Sequence, residues 1–199
     1  DSTTCGRLDT QLSGTVTLAS EINPSACTGN APGTSSFGNV AITGSSLTTT
    51  SGGVIVVKNS ASLSASSGLL TIGGQISAGS MSLTANKLVI NSNLIAGSRV
   101  SIQQRTDGTA INVGSITDAA SSTLEISDAE IDRVSATTLR IGSNKSGNIT
   151  VSQAISPAIV SFLALETNGA VGRSGSGSIS VANLGVQAVG AIDLGNNNS

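Results

Sequence analysis

Short runs in which apolar and polar residues alternate recur along most of the chain. Apolar residues flank a single intervening position at Val40/Ile42, Val54/Val56, Met81/Leu83, Leu88/Ile90, Val100/Ile102, Ile111/Val113 and Leu124/Ile126. The pattern continues at Leu139/Ile141, Ile149/Val151, Leu163/Leu165, Ile179/Val181 and Ile192/Leu194, and Leu69–Ile72 fits it with one extra residue. Successive units start mostly about ten to sixteen residues apart, separated by turn formers such as Gly73-Gly74 and Gly175-Ser176-Gly177. A period of two marks a strand with one buried face. A strand of three or four residues cannot bury that face alone, so many of them must share one core.

Two architectures meet this demand. One is an antiparallel sandwich or barrel; the other is a parallel β-helix, in which each coil stacks on the last. Three features favour the β-helix. The inward positions are monotonously Val, Ile and Leu, the strands are very short, and the outward positions are repeatedly Ser, Thr and Asn, as in Ser80–Thr84 and Ser178–Val181. Stacked small polar residues tolerate a flat sheet, and Asn and Gly accept the geometry of tight corners. The expected coil is about 20 to 30 residues, with about 6 to 8 coils rising about 30 to 40 Å. The one helix candidate is 125–136, with Ile126, Ile131 and Val134 on a face. The surrounding periodicity favours a strand and turn there instead.

Residues 1–38 read differently from 39–199. Leu12, Val16 and Leu18 alternate within 9–21, but 22–38 is loop-like, with Pro24, Pro32, Gly29 and Gly33. The expected organisation is an N-terminal strand and loop forming an irregular cap over 1–38, followed by β-helix repeats over 39–199. A plain excursion between strands fits the first segment equally well. Cys5 and Cys27 both fall in it. A disulfide between them would tether the cap and point to an oxidising compartment; two small buried thiols are the other reading. At the other end, a strand pattern runs through 186–194 before Asn196–Ser199. A frayed end, a cut from a longer solenoid and an end that docks on another copy all fit it.

Composition narrows the function. Hydrophobic residues make up 38% of the 199 residues, yet aromatic residues make up 1%, namely Phe37 and Phe162. The core must therefore be aliphatic. Charged residues are 10% and the net charge is -2, so the surface offers little repulsion against self-association. The cations are scattered singly, which argues against nucleic-acid binding. No apolar run is long enough to span a membrane as a helix.

Histidine is absent. That removes histidine general bases, Ser-His-Asp arrangements and histidine metal sites. No glycine loop has the continuation a phosphate site needs, and no cofactor is expected. Carboxylates are the remaining chemistry. Asp118, Glu125, Asp128, Glu130 and Asp132 form the densest acidic region. Asp128, Glu130 and Asp132, spaced by two, could share one face and are weak candidates for a hard cation, although no glycine sits inside the loop as a known calcium site requires. A solvated turn is the plainer reading. A glycosidase pair is disfavoured by the missing aromatic sugar platforms. An ice-binding ladder is disfavoured because Thr15-Val-Thr17 and Thr48–Thr50 do not recur in register. The glycosylation-type triplets Asn144–Ser146 and Asn148–Thr150 are expected by chance in so Asn- and Ser-rich a chain.

The segments 79–102, 135–158 and 168–194 resemble the degenerate repeats of filamentous-haemagglutinin-type bacterial exoproteins, secreted by two-partner systems or similar to autotransporter passengers. The resemblance spans about residues 39–195 and rests on phrase rather than on an invariant motif. The Asn-Pro motif of that family's secretion domain has no match; Asn23-Pro24 is followed by Ser25-Ala26. The cysteine pair also departs from the family's cysteine-poor pattern. The resemblance implies a right-handed parallel β-helix, secreted or at the cell surface, serving adhesion, aggregation or biofilm matrix. Together these readings predict a non-enzymatic structural protein that forms a homopolymer head to tail, with no nucleic-acid partner. The alternative is an adhesin module that binds a glycan or surface receptor near Phe37 or through the loop Gln103–Asp107.

Overall fold

The computed structural model describes the backbone of residues 7–11, 15–18, 37–52 and 54–195, and the side chains of residues 39–52 and 54–195. Cys5 and Cys27 lie outside the described residues, as do residues 19–36 and the side chain of Phe37.

Strands β1 (Arg7–Gln11), β3 (Phe37–Gly44), β5 (Val54–Ala65), β7 (Gln75–Thr84), β9 (Leu94–Gln103), β12 (Val134–Gly142), β15 (Ile159–Thr167) and β18 (Leu184–Ala188) form one sheet in that order. A second column begins with β2 (Thr15–Leu18), β4 (Ser46–Thr49), β6 (Leu69–Ile72) and β8 (Lys87–Ile90). It continues with β10 (Ala110–Val113), β11 (Thr123–Ile126), β13 (Ile149–Val151), β16 (Val171–Arg173) and β19 (Ile192–Asp193), in the order β11-β10-β13-β16-β19. β14 (Ala154–Ile155) and β17 (Ser178–Ile179) make a short third sheet. Every pairing among the described strands is parallel, as in β5 with β7 and β12 with β15. The protein is a parallel β-solenoid of about seven turns, rising about 34 Å if each step equals the strand spacing.

The parallel ladder starts earlier than the boundary at residue 39. Arg7–Gln11 and Thr15–Leu18 pair with β3 and β4, so the first segment already supplies a rung to each sheet.

Strands of the large sheet run to 12 residues in β5 and 10 in β7 and β9, longer than the alternation implies. Each joins two inward runs across a shift of register. In β7 the inward residues are Ile76 and Ala78, then Met81 and Leu83; in β9 they are Leu94 and Ala96, then Val100 and Ile102. The extra residue bends the strand at a bulge and makes a corner. Gly79 sits at one such bend, where a Cβ would lie 2.6 Å from the carbonyl oxygen of Asn59 on the rung beside it. Alanine inward positions hid the first run of β7 and β9 in the sequence. In β5 the phase is misassigned: Ile55 and Val57 are buried, whereas Val54 and Val56 point outward and are exposed. Four consecutive β-branched residues carry no phase of their own.

Leu63, Leu83, Ile102, Ile141, Leu165 and Val186 stack in one inward column, with the parallel column beside it holding Ala61, Met81, Val100, Leu139, Leu163 and Leu184. Leu63 to Leu83 and Leu83 to Ile102 are 20 and 19 residues, but Ile102 to Ile141 is 39. One coil therefore carries an insertion. Within it the chain runs through β10, loops back through 114–122 to β11, and adds a short helix, α1 (Asp128–Ile131). β11 lies on the side of β10 opposite β13, against β8, so this column gains a rung out of chain order. The strand favoured by periodicity is present as β11, and the turn after it is a single helical turn, closed by the reciprocal cap of Ser127 and Glu130.

Leu139 is fully buried in the middle of the column. Leu139→Ala should destabilise the protein by about 3 kcal/mol in denaturant unfolding, whereas Ile116→Ala, at 84% exposure, should change it by less than about 0.5 kcal/mol.

Candidate functional site

The acidic stretch singled out in the sequence divides in two. The Glu130 carboxylate points back toward the preceding rungs, where Oε1 accepts from the backbone N–H of Ile90 at 2.9 Å. Its Oε2 accepts from the Ser127 N–H at 2.9 Å and the Ser127 hydroxyl at 2.8 Å. Asp128 and Asp132 instead accept from the following coil, from the N–H of Ser156 at 2.8 Å and of Ala158 at 3.3 Å. A helical turn, unlike the extended strand behind the shared-face reading, places residues two apart on different sides. Asp128, Glu130 and Asp132 therefore do not converge on one cation. Among the described residues no group of three or more His, Cys, Asp or Glu side chains is placed to hold a metal.

Glu130 has a structural task. β8 and β11 are neighbours without a regular ladder, so the Ile90 N–H would lack a strand carbonyl above it. The carboxylate takes that place and closes the helix cap at the same time. Glu125, also buried, accepts from the Ser115 hydroxyl at 2.6 Å and the Ala120 N–H at 2.8 Å, holding the loop that leads back to β11. Asp118 is the acid left over. It lines a depression of about 210 Å³ with Glu130 and Arg133. Partial burial pushes its carboxyl above the ordinary aspartate range, Glu130 and Glu125 push it further, and Lys87 opposes them.

The corner at Gln103–Asp107 is built differently. Here the large sheet turns into the second column, and a groove of about 440 Å³ opens between Gln103–Arg105 and Ser143–Lys145. Arg140 and Glu166 form one wall, paired at 2.9 Å; Asp107 and Lys145 pair at 3.2 Å at the rim and are largely exposed. At this corner Thr84 is paired with Gln103, and Glu166 with Gly142. Gly142 turns the strand at a φ of +88, and a Cβ on it would lie 2.2 Å from the carbonyl oxygen of Glu166. The floor is fixed by a buried polar network: the Ser146 hydroxyl donates to Gln104 Oε1 at 2.5 Å and accepts from the Ser143 N–H at 2.8 Å.

The structure thus places the Gln103–Asp107 loop on a cavity, as the sequence suggested, and adds Thr84, Ser143, Lys145 and Glu166 from other coils. Their common register could have been found by aligning the repeats, but the 39-residue coil breaks a fixed period. Each glycosylation-type triplet has a member engaged in the fold. Ser146 is buried, and Asn148 Oδ1 accepts from the Ala170 N–H at 2.9 Å. In the groove both acids, Asp107 and Glu166, are committed to cations. Its chemistry is that of hydrogen bonding and charge.

Two outcomes test these assignments. Glu130→Ala should cost about 3 kcal/mol in denaturant unfolding, because it removes a cap and leaves a buried N–H unsatisfied. Asp118 holds its proton more tightly folded than unfolded, so its ionisation lowers stability as pH rises through the carboxylate range. Asp118→Asn should therefore raise the melting temperature at pH 7 and leave it unchanged well below the ordinary aspartate range.

In comparisons with known proteins, no family model, curated protein or solved structure matches this chain.

Proposed function

We propose that the protein is an extracellular, non-enzymatic structural module that contributes to a bacterial surface fibre, matrix or adhesin stalk by stacking end to end. The observation that carries this reading is the state of the last rung. Val181, Leu184, Val186, Ala188 and Leu194 extend the aliphatic column but are only partly buried, and Val189 and Ile192 are 78% and 52% exposed. Among the described strands β18 has a partner on one side only, β15, and β1 at the other end pairs only with β3. A parallel ladder has one polarity, so the end of one copy matches the start of the next. A heterologous contact of this kind does not close and yields a filament. The scarcity of charge and the repeat resemblance support the same reading.

A second reading, an adhesin module that binds glycans or host receptors, is favoured by the groove at the Gln103–Asp107 corner.

Electron microscopy and sedimentation test the first. Concentrated protein should show rods that lengthen with concentration. Val189→Glu with Ile192→Lys, on exposed side chains of that end, should leave monomers of unchanged circular dichroism. Compact wild-type monomers at high concentration would overturn end-to-end assembly.

A further inference from the structure

We propose that a serine-floored basin on the outer face of the large sheet, edged by Arg99 and Arg140, binds the anionic groups of an acidic polysaccharide. Two outward columns meet there. Ser60, Ser80 and Arg99 stack on successive rungs in one; Ser62, Ser82, Ser101 and Arg140 stack in the other. These residues line a depression of about 290 Å³.

Its electrostatics are one-sided. No carboxylate lines the basin. Arg99 is exposed and has no ion-pair partner among the described residues. Arg140 gives one nitrogen to Glu166, which lies on the groove side, while its Nε is buried without a hydrogen-bond partner. In a chain with so few cations, two guanidiniums on adjacent rungs beside a neutral floor are a local concentration of positive charge. The guanidinium fork matches a carboxylate or sulfate in two parallel hydrogen bonds. Serine hydroxyls both donate and accept, as sugar hydroxyls demand. From β5 to β12 the two columns extend about 14 Å along the solenoid, room for a short oligosaccharide laid across the rungs. The basin meets the corner groove at Arg140, so a longer chain has a continuous polar path. No aromatic residue lines either cavity. Affinity would therefore come from charge and hydrogen bonds rather than ring stacking, and should fall with salt.

The inference does not depend on end-to-end assembly, and its test reads binding alone. The full chain would be titrated calorimetrically with hexagalacturonate, a sulfated hexasaccharide, a neutral hexagalactoside and an oligothymidylate. Binding of either acidic sugar, and not the neutral one, is expected; which of the two binds more tightly identifies the anion. Arg99→Gln, on an exposed side chain, should weaken it about tenfold, the worth of one charge-assisted hydrogen bond. Ser82→Asp, which puts a carboxylate on the floor, should abolish it, with circular dichroism unchanged in both variants. Equal binding of the neutral sugar, no binding of either acidic sugar, preference for the oligothymidylate, or full affinity in Arg99→Gln would overturn the proposal.

Discussion

Parallel strands that stack in register carry the rest of this molecule. Each rung presents aliphatic residues inward at the same positions as the rung below, so Leu63, Leu83, Ile102, Ile141 and Leu165 form a continuous buried column. The backbone hydrogen bonds that hold the rungs also set their spacing, and the spacing obliges the side chains to be of similar size. A narrow interior shared by facing strands has room for Val, Ile, Leu and Ala, and little for rings. The scarcity of aromatic residues follows from the architecture.

Stacking also explains where the structure spends its polar groups. Wherever a rung is missing or a corner departs from the regular ladder, a side chain replaces a backbone partner. Glu130 does so for Ile90 beside the inserted strand. Asn86 Oδ1 accepts from the N–H groups of Arg105 and Thr106 at a corner, both at 2.9 Å. Thr49, buried, accepts from Gly73 at 3.0 Å and Gly74 at 3.1 Å. Glu130 looks like candidate chemistry in a sequence poor in charge, but its hydrogen bonds show it, like Asn86 and Thr49, to be a ladder repair. The departures from repetition that remain free of such duties are few. Arg99 and the corner groove are the clearest, and they lie on the same flank.

The regular coil and the insertion divide the labour. The even stretch of β5, β7 and β9 makes a flat, serine-covered face. Arg99 on β9 interrupts that face, and after the 39-residue coil Arg140 and Glu166 follow on adjacent rungs. The flank chemistry therefore gathers beside the long coil, and at β18, the last described strand of the large sheet, the aliphatic residues are only partly buried. The flank and the ends of the solenoid are separate surfaces, because a rung stacks only on the rungs before and after it.

The amino-acid order alone determined the strand class, the aliphatic interior, the polar small exterior and the approximate coil length. All four follow from local alternation and from side-chain size, which act within a few residues. It also pointed to Gln103–Asp107 as a break in monotony. Only the tertiary structure decided the phase of Val54–Val57, since alternation carries no phase where every residue is apolar. It alone joined the paired short runs into long bulged strands, and moved the first rung back to residue 7. It separated Asp128, Glu130 and Asp132, because one helical turn directs neighbouring carboxylates apart where an extended strand would align them. And it alone brought Arg99 and Arg140 to one basin: they are 41 positions apart along the chain but one rung apart in the sheet, a proximity set by the length of the coil between them.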